Sequence, residues 1–170
     1  MNHKKGFTLI ELLIVIALLG ALAVGLLAAI DPFEQLKKGR DTSTRNTTSE
    51  FYNAVLRFYA TNANLPWNVG GATTTFSAQP MTSGTVTASI STLITAGELK
   101  NKFYTLAGVN NLARIYITSP STESMIACFI PESKSFKQDL NVVFNNIGSS
   151  TTGCVAETAG GSTSCYWCIQ

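Results

Sequence analysis

The sequence predicts an α+β protein: a long N-terminal helix packed on a small antiparallel β-sheet head with a disulfide-stapled C-terminal region. Three observations carry this expectation. Residues 7–30 form an almost unbroken apolar block. Beyond Pro32, apolar residues recur at helical spacing, with Phe51, Ala54, Val55 and Phe58 on one face. The last third of the chain holds β-rich segments and all four cysteines.

Composition narrows the function classes. The chain has 170 residues, enough for one ordinary domain. Charged residues make up 13%, about half the usual share of roughly 25%, and 45% are apolar, the reverse of a disordered composition. There are 12 Lys+Arg against 10 Asp+Glu, and Lys4 and Lys5 account for the excess, so from Phe7 onward the balance is 10 against 10. No electrostatic footprint for nucleic acid remains. His3 is the only histidine. Removal of the first residues would leave no imidazole for Ser-His-Asp or Cys-His catalysis or for a His-ligated metal.

In the apolar block only Thr8, Glu11, Gly20 and Gly25 are not apolar. As a helix it would measure ~36 Å, enough to cross a bilayer core of ~30 Å. Three readings compete. A cleaved secretory signal would use Lys4 and Lys5 as its positive region and cut near Ala21-Leu22-Ala23 or Leu27-Ala28-Ala29. An uncleaved anchor would simply span. A filament subunit would lose its leader before the apolar run rather than after it. Glu11 separates them: a carboxylate inside a span is costly and marks function by default, and neither a signal nor an anchor gains from it. Cleavage after Gly6 would free an amine at Phe7, a cation four residues upstream that could meet such a carboxylate in an apolar assembly.

The stretch Lys4-Lys5-Gly6-Phe7-Thr8-Leu9-Ile10-Glu11-Leu12 resembles the class III signal of type IV pilins and related pseudopilins. The resemblance implies a prepilin peptidase that cuts after Gly6 and N-methylates Phe7. It implies that Glu11 pairs with the Phe7 amine of a neighbouring subunit. It further implies a pilin lollipop assembled into a homo-oligomeric helical filament by an extension ATPase and a platform protein; no cofactor or metal is expected.

Asp31-Pro32 interrupts the helix, as a break or as a restart with Asp31 as N-cap and Pro32 in the first turn. In the resembling family a proline in this region lets the helix stretch. Residues 33–64 continue the helix, with Tyr52, Leu56 and Tyr59 beside the apolar face. Lys37, Lys38, Arg40, Asp41 and Arg45 are expected on a solvated face, or in salt bridges between subunits. The sequon-like Asn46-Thr47-Thr48 falls inside this helix. The run Arg40-Asp41, Arg45, Leu56, Phe58-Tyr59, Asn62 and Leu65-Pro66 is loosely similar to the helix-to-head junction of the same family, and Pro66 stops the helix.

In the head, residues 70–87 read as a Thr/Ser/Gly-rich loop with weak strand content. Ile90, Leu93 and Ile94 with Gly97 as C-cap read as a short helix. Ala113–Thr118 and Met125–Ile130 read as an antiparallel hairpin, and Asn141–Phe144 as a further strand. Cys128, Cys154, Cys165 and Cys168 are even in number and predict two disulfides of open pairing. A four-cysteine zinc site, a redox Cys-x-x-Cys pair at 165–168, and a calcium loop drawing on Asp139, Asn141, Asn145 and Glu157 are the alternatives.

The expected organisation is a leader at 1–6, a transmembrane and filament-core helix at 7–30, its second half at 31–66 and a β head at 67–170. The expected role is a type IV pilus subunit, first in the cytoplasmic membrane with the head outside and then on the cell surface. A major pseudopilin of a type II secretion system is the near alternative. A secreted binding protein with an ordinary signal peptide is the distant one.

Overall fold

A computed structural model of the chain describes residues 6–29, 31–139, 142, 144–146, 149–150 and 165–170. The elements run α1 (Leu9–Ala29), α2 (Pro32–Asn62), β1 (Phe76–Pro80), α3 (Gly84–Thr95), α4 (Phe103–Ala107), α5 (Val109–Leu112), β2 (Ile115–Ser121), β3 (Ser124–Phe129), α6 (Lys134–Lys137), β4 (Phe144–Asn146), β5 (Ser149–Ser150) and β6 (Trp167–Ile169). The chain divides into two compact units, Met1–Gln35 and Leu36–Gln170.

The first unit is dominated by α1, whose stretch Leu9–Leu27 has a mean hydropathy of 2.8 and is long and apolar enough to cross a membrane. Its side chains through Leu27 are exposed on every face. A helix without a polar stripe has no preferred side to lay on a soluble core, so lipid or other apolar helices are its natural surroundings. At the end of the unit, Asp31 Oδ1 accepts hydrogen bonds from the backbone N–H groups of Phe33 (3.1 Å) and Glu34 (3.3 Å). Asp31 is thus the N-cap of α2 and Pro32 its first residue, where a missing N–H costs nothing. Of the two readings of Asp31-Pro32, restart of the helix is the one observed.

The second unit packs the rest of α2 on one face of a four-stranded antiparallel sheet of order β1-β2-β3-β6. The expected hairpin is β2–β3, with Ile115 opposite Phe129 and Ile117 opposite Ala127. Alternation along the pleat sends Ile115, Ile117, Met125 and Ala127 into the main core, where they meet Phe51, Ala54, Val55 and Phe58 of α2. Ile126 and Cys128 point to the other face. Edge strand β1 ends on Pro80, a position that suits a residue unable to donate to the ladder.

The weak strand content expected in the Thr/Ser-rich segment 70–87 is strand β1, whereas α3 begins earlier than expected, at Gly84 rather than near Ile90. Hydroxyls that compete with a helix are absorbed by it here: Ser89 and Thr92 donate to the carbonyls of Thr85 and Ala88. Val86, Ile90 and Leu93 form its buried stripe. Gly97, at φ +79°, ends the helix as expected, with Glu98 N–H reaching Leu93 O at 2.9 Å and Gly97 N–H reaching Ile94 O at 3.0 Å. The strand expected at Asn141–Phe144 is instead β4, which pairs with β5 in a separate two-stranded sheet. Asn141 and Val143 lie outside the described residues.

The short strand β6 has no counterpart among the expected elements. It pairs with β3 so that Cys168 stands opposite Cys128, and the two are joined by a disulfide with a Cα–Cα distance of 4.2 Å. Closing a loop of 40 residues restricts the unfolded chain by about 4 kcal/mol in the loop-closure model. Cys165 is also disulfide-bonded, and Cys154 lies outside the described residues. Behind this staple, Phe129 and Trp167 stack at 5.2 Å between ring centroids, with Cys165 and Val142 completing a small second core.

Candidate functional site

The N-terminal motif is built around the first turn of α1. Thr8 is the residue before the helix and Glu11 its third residue, the spacing of a capping box. The geometry is reciprocal. Thr8 N–H donates to Glu11 Oε2 at 2.8 Å, Thr8 Oγ1 donates to the same oxygen at 2.7 Å, and Glu11 N–H donates to Thr8 Oγ1 at 3.3 Å. Sequence reasoning singled out Glu11 as a carboxylate awaiting a cation. The structure adds that its own helix already satisfies one of its oxygens. Both bonds use Oε2, and the carboxylate stands at the positive end of the helix dipole. Gly6 and Phe7 precede the helix in exposed, irregular backbone. Lys4 and Lys5 lie outside the described residues.

A second constellation, on α2, corrects the expectation of a solvated face. Asp41 is completely buried. Its carboxylate accepts the backbone N–H groups of Glu132 (3.0 Å to Oδ2) and Ser133 (2.7 Å), and Arg114 Nη2 at 3.1 Å. Arg114 also lies 3.4 Å from Glu132 Oε1, and Arg40 pairs with Glu132 Oε2 at 3.0 Å. One turn on, Thr44 Oγ1 is 2.6 Å from Asn111 Oδ1, and Asn111 Nδ2 donates to Thr47 Oγ1 at 3.2 Å. Arg45 is exposed yet not simply solvated, since its guanidinium sits 5.5 Å from the ring centroid of Trp167. Lys38 alone fits the expectation fully, being exposed. The missed signal was periodicity: Asp41, Thr44 and Thr48 fall on the face that continues into Phe51, Val55 and Phe58.

Among the described residues no three His, Cys, Asp or Glu side chains converge as metal ligands. Asp139 follows α6 and Asn145 lies in β4, while Asn141 and Glu157 fall outside the described residues. Cys165 and Cys168 do not pair with each other, since Cys168 is joined to Cys128. Asn46 of the sequon-like run is exposed in mid-helix, with Thr47 and Thr48 buried.

An exposed, capped, membrane-length helix whose first turn holds a carboxylate fits a membrane-anchored precursor. Residues 1–27 match the family model of the prokaryotic N-terminal methylation motif. This is the class III signal of type IV pilins and pseudopilins, and it implies processing by a prepilin peptidase and delivery to a pilus or pseudopilus assembly machinery. No curated protein and no solved structure matches the chain.

Proposed function

We propose that this chain is a structural subunit of a type IV pilus, held in the cytoplasmic membrane by α1 and assembled after cleavage behind Gly6 and N-methylation of Phe7. The observation that carries the reading is the match of residues 1–27 to the methylation motif, with Glu11 in the first turn of an apolar helix exposed through Leu27. Cleavage there exposes an amine at Phe7. Glu11 of one subunit pairs with that amine on the next, which neutralises two charges that neither lipid nor a bundle of apolar helices would hold singly. In lipid the helices gain little by associating, because acyl chains are as apolar as leucine. Extraction into a filament therefore requires work from an assembly ATPase acting through a platform protein.

The disulfide Cys128–Cys168 supports a head that matures outside the reducing cytoplasm. The same N-terminal motif serves the pseudopilins of type II secretion systems, so a short periplasmic pseudopilus is the alternative reading. The test is the intact mass and N-terminal sequence of the native protein. A chain beginning at N-methylated Phe7 supports the proposal, and electron microscopy of sheared cells then separates pilus from pseudopilus. A chain beginning after Ala23 or Ala29 discards Glu11 and overturns it.

A further inference from the structure

The second unit carries an apolar groove beside one part of α2 and an apolar knob beside another. The groove, of about 240 Å³, is lined by Tyr52, Leu56 and Tyr59 of α2 and by Met125 and Ile126 of β3, with Glu123 of the β2–β3 turn at its rim. The knob is the corner between α4 and α5. Leu106 is 71% exposed and Val109 68% exposed, on either side of Gly108, whose φ of +77° makes the turn. Lys102 stands one helical turn before Leu106 and is exposed. Lys102 and Glu123 each lack an ion pair among the described residues.

The two features attach to different parts of α2. At about 100° per residue, Tyr52, Leu56 and Tyr59 lie on the flank of α2 that also holds Arg45, which meets Trp167 of β6. Ser43 lies on the other side of the buried stripe, sharing a cavity with Arg40 and with Asn110 and Asn111 of α5. They are also displaced along the helix. The α5 corner is tied to α2 at Thr44 and Thr47, while the groove centres near Val55, an axial offset of roughly 15 Å at 1.5 Å per residue.

We propose that the groove receives the Leu106–Val109 corner of a second copy of this chain, with Lys102 of that copy paired to Glu123 at the rim. A knob and a groove at different places on one chain make a heterologous contact, and such a contact repeated with an axial offset generates an open helix rather than a closed dimer. Charge complementarity at the rim sets register, and burial of Leu106 and Val109 removes the largest apolar exposure of the α4–α5 corner from water. This docking rests on the filament-subunit reading.

The test is made on the full chain in its own cells, with the photoreactive p-benzoylphenylalanine in place of Val109. Irradiated, sheared filaments should yield a cross-linked dimer whose second peptide comes from 52–59 or 123–126. Lys102→Glu should lower filament yield roughly fivefold or more, and Glu123→Lys in the same chain should restore it. Both positions are exposed, so the head should fold in each variant. If filaments form but position 109 cross-links to lipid, to another protein, to another part of a second copy or to nothing, the docking fails while the subunit reading stands. If the parent chain forms no filament, both fail.

Discussion

The two halves of the head-packing face of α2 do the same job by opposite means. From Phe51 to Phe58 the face is apolar, and it is buried by shape against Ile115, Ile117 and Ala127. From Asp41 to Thr48 it is polar, yet Asp41, Thr44 and Thr48 are wholly buried. The apolar half needs only volume and dryness from its partners. The polar half needs named donors at fixed distances, since a buried carboxylate without them would be costly. Arg114, the side-chain amide of Asn111 and the backbone of Glu132 and Ser133 supply these donors from positions 64 to 92 residues away in sequence. The difference teaches that one helix face can be non-specific at one end and stringently specified at the other.

The largest expected effect lies in the apolar half. Phe51→Ala should destabilise the second unit by about 3–5 kcal/mol, through lost burial and the cavity left behind. Denaturant unfolding of the full chain in detergent, followed by tryptophan fluorescence, would read this, and a loss below ~1 kcal/mol would break the comparison. Asp41→Asn should cost somewhat less, about 2–3 kcal/mol, because Arg114 keeps Glu132 as a partner while two backbone N–H groups lose a charged acceptor. The sharper version is the double variant Asp41→Leu with Arg114→Met. It should cost more than the apolar swap suggests, since the N–H groups of Glu132 and Ser133 stay orphaned.

Thr44→Val tests a single strand of the polar network. It keeps the volume, removes the contacts to Asn111 and Arg114, and should cost about 1 kcal/mol in the same unfolding assay. The smallest effect is expected at Tyr104, which packs against the main core and donates its hydroxyl to Thr87 O at 3.0 Å. Burial raises its pKa above the ordinary phenol value, partly offset by the neighbouring Thr87 side chain. A raised folded-state pKa stabilises the protein below pH ~10 and loses that contribution as pH climbs through the folded value. Tyr104→Phe should therefore flatten the alkaline limb of a melting-temperature profile, and an unchanged limb would show that other groups set it.

Legibility followed the range of the interactions. The N-terminal motif was readable because residues 4–12 are contiguous, whereas the Thr8–Glu11 cap came only with the structure. The hairpin was readable because its strands are separated only by a short turn. Asp41 was misread because its partners are distant, and a charged residue among Lys37, Lys38 and Arg40 has the composition of a solvated face. Strand β6 was missed because Trp167-Cys168-Ile169 is too short to show alternation, and only its register against β3 makes it a strand. The start of α3 was misplaced because Gly84 to Ser89 has loop composition, and only the hydroxyl-to-carbonyl bonds reconcile it with a helix.

What the sequence by itself determined is therefore local and periodic. It set the apolar α1, the core stripe of α2, the β2–β3 hairpin and the processing motif with Glu11, all expressed in nearby or periodic positions of the chain. Only the tertiary structure decided that Asp41 is buried, that Cys128 faces Cys168, and that groove and knob attach to different parts of α2. Those outcomes depend on which distant groups arrive at a given point, and pairing across 40 to 92 residues leaves no periodic trace in the chain that makes it.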